Sequence, residues 1–80
     1  MPYIDDKRRH QVILNGDILT AGELNFYITS VILDYLTAHG ESYQTYNDIL
    51  GVLSAIPQEL YRRKIAPYED KKIEENGDVY

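Results

Sequence analysis

The segment Gly22 to His39, GELNFYITSVILDYLTAH, constrains this chain more than any other stretch. At about 100° per residue, Leu24, Tyr27, Ile28, Val31, Ile32, Tyr35 and Leu36 fall on one broad face of a helix. Phe26 and Leu33 project from the opposite side, among Thr29, Ser30 and Thr37. One neighbouring helix covers one face only. The second stripe therefore needs either the N-terminal arm or a subunit interface built on Phe26 and Leu33. The ends of the helix are marked. Thr20-Ala21-Gly22-Glu23 has capping-box spacing, which predicts that the Thr20 hydroxyl accepts the Glu23 N–H and the Glu23 carboxylate reaches back to the Thr20 N–H. His39-Gly40 suits the other end, with a helix-favouring charge and a residue free to take a left-handed cap.

Size sharpens the problem. The chain has 80 residues and no cysteine, so neither a disulfide framework nor a thiolate metal site can reinforce a small core. Both facts favour a homo-oligomer. No apolar run approaches the roughly 20 residues needed to cross a bilayer, and Met1 to Asn15 lacks the order of a signal peptide. The expectation is a cytoplasmic protein without a membrane role. A net charge of −5 argues against direct nucleic-acid binding. Every Lys and Arg lies in 7–9, 62–64 or 71–72, whereas His10 through Tyr61 carries only acids.

Along the chain, residues 1–19 read as an N-terminal arm. Pro2 disfavours helix, Tyr3-Ile4 can dock on apolar surface, and Asp5-Asp6 before Lys7-Arg8-Arg9 suits a short helix. Val12-Ile13-Leu14-Asn15-Gly16-Asp17-Ile18-Leu19 then offers either a tight turn packed on the helices or a minor β-hairpin at 12–19. A second long helix over about 45–64 follows from Tyr46, Ile49/Leu50, Leu53, Ile56 and Leu60. Pro57 predicts a kink or a break near Ile56. Ala66-Pro67 predicts its stop and a short C-terminal helix to Glu75, ended by Asn76-Gly77 before a tail at 76–80. The fold class is all-α, a single domain whose two long helices, about 21–39 and 45–64, pack as an antiparallel hairpin.

Chemistry-bearing constellations are few. His10 and His39 lie on either side of the long helix, neither with an i, i+4 ligand partner, so no metal site is expected. Asp5-Asp6, Glu69-Asp70 and Glu74-Glu75 are adjacent pairs that diverge on a helix. No Gly-rich phosphate loop occurs, and no cofactor is implied. The residues argue against an enzyme and supply no catalytic set. Eight tyrosines are the oddity. Tyr27, Tyr35 and Tyr46 lie on core faces, but Tyr61, Tyr68 and Tyr80 are interleaved with Arg62, Arg63, Glu69 and Asp70. Aromatic planes beside guanidinium groups can stack a ring and hold a phosphate, or serve as interface anchors. In a hairpin, Arg8, Arg9, Arg62 and Arg63 would gather near the start of the long helix as an anion site. The competing arrangement has Glu23, Glu69 and Asp70 neutralising those cations internally.

The runs GELNFYIT at 22–29, YNDILGVL at 46–53 and ELYRRKIAPYEDKKIEENGDVY at 59–80 resemble a family of small uncharacterised proteins from tailed bacteriophages and prophages. The resemblance covers most of the chain after Thr20. It implies a phage-encoded protein acting in the cytoplasm of a bacterial host, a class in which small helical proteins often inhibit host defence.

The sequence thus reads as a non-enzymatic homo-oligomer that sequesters a nucleotide-like small molecule. Arg62 and Arg63, with Arg8 and Arg9, would hold phosphate, Tyr61 or Tyr68 would stack on a ring, and Asn25 or Asn76 would read a polar edge. The alternatives are an acidic module, whose Asp34, Glu41, Asp48 and Glu59 meet a basic host defence protein, and a minor virion assembly component.

Overall fold

The computed structural model describes residues 4–80. The suggested docking of Tyr3 lies outside them. The described residues are all-α, in the order α1 (Asp6–Asn15), α2 (Ala21–His39), α3 (Tyr43–Leu60), a π-helical turn at Tyr61–Ile65, and α4 (Ala66–Asn76). They fall into two compact units, Met1–Thr45 and Tyr46–Tyr80.

In the first unit, α1 begins where the acids predict. Asp5 is its N-cap, in extended conformation, with Oδ1 accepting the Arg8 N–H at 2.9 Å. The helix runs through Val12-Ile13-Leu14 to Asn15, and Gly16 closes it at φ 63° with its N–H on the Val12 carbonyl. The hairpin reading of 12–19 is therefore corrected. Asn-Gly supplies a left-handed residue, but here that residue ends a helix instead of turning a ribbon. No strand forms among the described residues. The chain then crosses to α2, whose bounds match those expected from its caps. Thr20 is the N-cap, its Oγ1 accepting the Glu23 N–H at 3.2 Å, and Gly40 follows the last turn with its N–H on the Leu36 carbonyl. α1 packs on α2, and Val12 between them is fully buried.

α3 starts two residues earlier than its apolar stripe suggested, because Ser42 caps it: Ser42 Oγ accepts the Thr45 N–H at 3.1 Å. The helix then carries Pro57 within it and keeps α geometry to Leu60. The expected stop at Ala66-Pro67 is a second correction. Backbone helicity continues from Tyr43 to Asn76, and the irregularity is a π turn in which the Ala66 N–H reaches the Tyr61 carbonyl. Pro67 explains it. Its ring would crowd the carbonyl four residues back and it offers no N–H, so one widened turn admits the ring without ending the helix. α4 ends at Asn76, one residue past the expected Glu75, and is capped by Gly77.

Candidate functional site

Each candidate side chain sits on a helix, so its neighbours at three and four residues decide what it can still bind. On α1, Arg8 points across to the start of α2. Its Nε donates to Glu23 Oε2 at 2.8 Å and its Nη2 to Glu23 Oε1 at 2.7 Å. The remaining donors meet Asp17, Nη1 on Oδ2 at 3.3 Å and Nη2 on the backbone carbonyl at 2.9 Å. Four acceptor atoms thus surround one guanidinium. Glu23, only 5% exposed, also accepts the Leu19 N–H at 2.9 Å through Oε1. The capping box is completed one residue earlier than the spacing predicts, at Leu19 and not at Thr20, because the carboxylate is drawn toward Arg8.

The electrostatics follow from this fork. Hydrogen bonds from Arg8 and then from the Leu19 N–H hold the Glu23 carboxyl down at about 2, against an ordinary value of 4.5. The same contacts push the Arg8 guanidinium further up. Both charges are fixed across any ordinary pH, and Arg8 is spent on the fold. Arg9 differs: its guanidinium carbon stands 5.9 Å from the centre of the Phe26 ring, and Nη1 lies 3.5 Å from Asp6 Oδ1. Phe26 is half-buried, whereas Leu33 further along α2 is 54% exposed. Asn25 is exposed beside them and accepts the Thr29 hydroxyl at 3.4 Å.

The second unit holds the other candidates, and they divide between neighbouring surfaces. Arg62 and Arg63 converge on a single atom, Glu59 Oε2, at 2.8 and 3.1 Å, all three side chains more than half exposed. Two cations therefore share one carboxylate oxygen. Ala55, Ile56, Leu60 and Lys64 border the same shallow, mostly apolar depression of about 390 Å³ with Glu59 and Arg63. Tyr68 and Asn76 come together elsewhere, lining an open cleft of about 340 Å³ between α4 and the tail with Ile73, Val79 and Tyr80. Lys72 Nζ sits 5.5 Å from the centre of the Tyr68 ring. Tyr61 belongs with Glu69, whose carboxylate accepts a hydrogen bond from the neutral hydroxyl and raises the phenol above its usual range.

Two residues outside the expected anion-binding set matter here. Asp17 completes the Arg8 shell, and no periodic signal marks it, since it lies in the loop before α2. Glu59 organises Arg62 and Arg63, and its i, i+3 and i, i+4 spacing to them was readable. The histidines make local contacts only, each Nδ1 near the carbonyl four residues back, at 2.8 Å for His10 and 3.0 Å for His39. Among the described residues no group of three or more His, Asp or Glu is placed to hold a metal. No helix among them is long and apolar enough to cross a membrane.

A family model described as a domain of unknown function (DUF6899) matches residues 1–79. No curated protein and no solved structure matches the chain. The match spans nearly the whole sequence, and the chain belongs to that family.

Proposed function

We propose that this member of the family is a non-enzymatic, self-associating helical binding protein of phage type, working in the cytoplasm of a bacterial host against its defences. The observation that carries the reading is the shortage of core. Val12 is the one buried large hydrophobic among the described residues, while Leu24, Ile28 and Val31 of α2 and Leu50, Ile56 and Leu60 of α3 stay exposed. Leaving such faces in water is costly at about 25 cal/mol per Å² of apolar surface, and further copies of the chain are the simplest cover. Resemblance to phage proteins supports the setting.

What the assembly binds is the second part of the proposal. An anionic, nucleotide-like ligand is supported by the Arg62–Arg63 pair, which has one carboxylate oxygen for two cations and tyrosines on the neighbouring turns. Arg8 drops out of that ligand set, since Glu23 and Asp17 occupy its donors. That loss favours the alternative, in which acids of the two units, Asp34 and Glu41 in the first and Asp48 and Glu59 in the second, meet a basic host protein. Native mass spectrometry of the purified protein reads both parts, the assembly mass and any small molecule retained. Replacing Arg62 and Arg63 with Ala removes the retained molecule and keeps the assembly if the ligand version holds. Loss of activity only on charge reversal of the acidic residues supports the protein-binding version.

A further inference from the structure

The π turn at Tyr61–Ile65 has a consequence for the surface of the helix that carries it. Tyr46, Ile49, Leu53, Ile56 and Leu60 advance by three and four residues and hold one face. Continued as a regular α-helix, that face would next present Arg63 and Lys64, and Ile65 would point well away, roughly 150° from the stripe at about 100° per residue. A π turn accommodates one residue more than an α turn, which rotates everything beyond it back by about one residue's angle. Ile65 and Tyr68 thereby rejoin the face. The apolar stripe then runs from Tyr46 to Tyr68, about 33 Å at 1.5 Å per residue.

Its order is self-complementary. Tyr then Ile opens the stripe at 46 and 49, and Ile then Tyr closes it at 65 and 68. In a two-fold pair each residue i that meets j requires j to meet i, and the end pairs 46/68 and 49/65 meet that condition about a centre at Pro57 when the helices run antiparallel. Charge points the same way. Parallel copies would lay Arg62, Arg63 and Lys64 on their own counterparts. Antiparallel copies about that centre lay them beside residues 50–52, two to four residues from Asp48, in a half of the helix that carries neither Lys nor Arg.

We infer that the helix from Tyr43 to Asn76 pairs antiparallel with the same helix of a second copy, along the stripe from Tyr46 to Tyr68 that the π turn keeps continuous. This rests on the self-association proposed above and specifies its interface. Tyr46 lies beside Tyr68 of the second copy, Ile49 beside its Ile65, and Ile56 near the two-fold axis.

Spin-label distances test it directly, because the chain has no native cysteine and each label marks one site. Separate samples carry a label at Gln58→Cys and at Glu74→Cys, with the assembly state of each read by light scattering. The pairing predicts an intermolecular distance under about 25 Å at position 58, set by helix diameter and separation. At position 74 it predicts about 50 Å, because the two labels sit 17 residues either side of the axis. Short distances at both positions would mean a parallel pair and overturn the inference. Assembled protein with no intermolecular signal would place the contact on another face, overturning the interface and sparing self-association. A monomeric sample would remove both. Pro67→Ala adds an independent arm: without the ring the turn closes to regular α geometry, helicity by circular dichroism is kept, the stripe breaks after Leu60, and association weakens at least about tenfold, the equivalent of 1.4 kcal/mol. Unchanged association in that variant would overturn the role assigned to the π turn.

Discussion

The Arg8 guanidinium forks onto the Glu23 carboxylate with donor–acceptor distances of 2.8 and 2.7 Å, joining the first turn of α1 to the first turn of α2. Around this fork gather the side-chain bonds that tie α1 to α2 and to the loop between them. It caps α2 through Leu19, fixes the loop through Asp17, and stands close in the chain to Val12, the residue the two helices bury.

Acid should loosen the docking of α1. The folded Glu23 carboxyl titrates at about 2, below its ordinary 4.5, so the unfolded chain binds a proton first as pH falls. The contribution is complete above the unfolded value and is lost as pH drops from there toward 2. Arg8 stays charged throughout. Amide chemical shifts of α1 followed from neutral pH downward should hold flat to about pH 5 and then move together.

Replacing either member of the fork should lower the melting temperature by several degrees. Arg8→Lys is not a mild change, because an ammonium cannot make the two parallel bonds that Glu23 accepts. Glu23→Gln keeps the shape and the Leu19 contact but loses the charge. Thermal melts of both single variants and the double variant should be non-additive, the double costing clearly less than the two singles together.

Val12→Ala removes two carbons from the only fully buried large side chain among the described residues. Transfer and cavity terms together predict a loss of about 2 kcal/mol, read from urea unfolding. Leu33→Ala, on a half-exposed site, should cost much less in the isolated chain and show its effect on association instead.

Gly16→Ala tests the helix-cap reading of Asn15-Gly16. Gly16 sits at φ 63°, where a Cβ costs about 1–2 kcal/mol, although nothing else lies within 4 Å to obstruct it. A loss of about that size is expected in equilibrium unfolding, with α2 helicity unchanged.

Much of this was legible in the sequence wherever a helix end was written in its own neighbourhood. Thr20 and Gly40 bounded α2, Asp5 began α1, and Gly77 closed α4. Three features were not, each for a physical reason. Asn15-Gly16 encodes a left-handed residue, and both a hairpin turn and a helix cap use one; only the packing of Val12 decides between them. Glu23 had a local partner at the right spacing, but Arg8, 15 residues away in the chain, outbid the Thr20 N–H for its carboxylate. Pro67 reads as a stop because a regular helix cannot hold it there, and a π turn is a solution that no local propensity announces. At the candidate site, the Arg62–Arg63 pair was visible, whereas the withdrawal of Arg8 depended on a tertiary contact.

In the proposed assembly further copies of the chain cover the apolar faces of α2 and α3. Sedimentation equilibrium from micromolar to millimolar protein tests it most directly. The average mass should rise above the 9.3 kDa of one chain to a multiple of it. A single species of 9.3 kDa across the whole range, folded and stable, would contradict it.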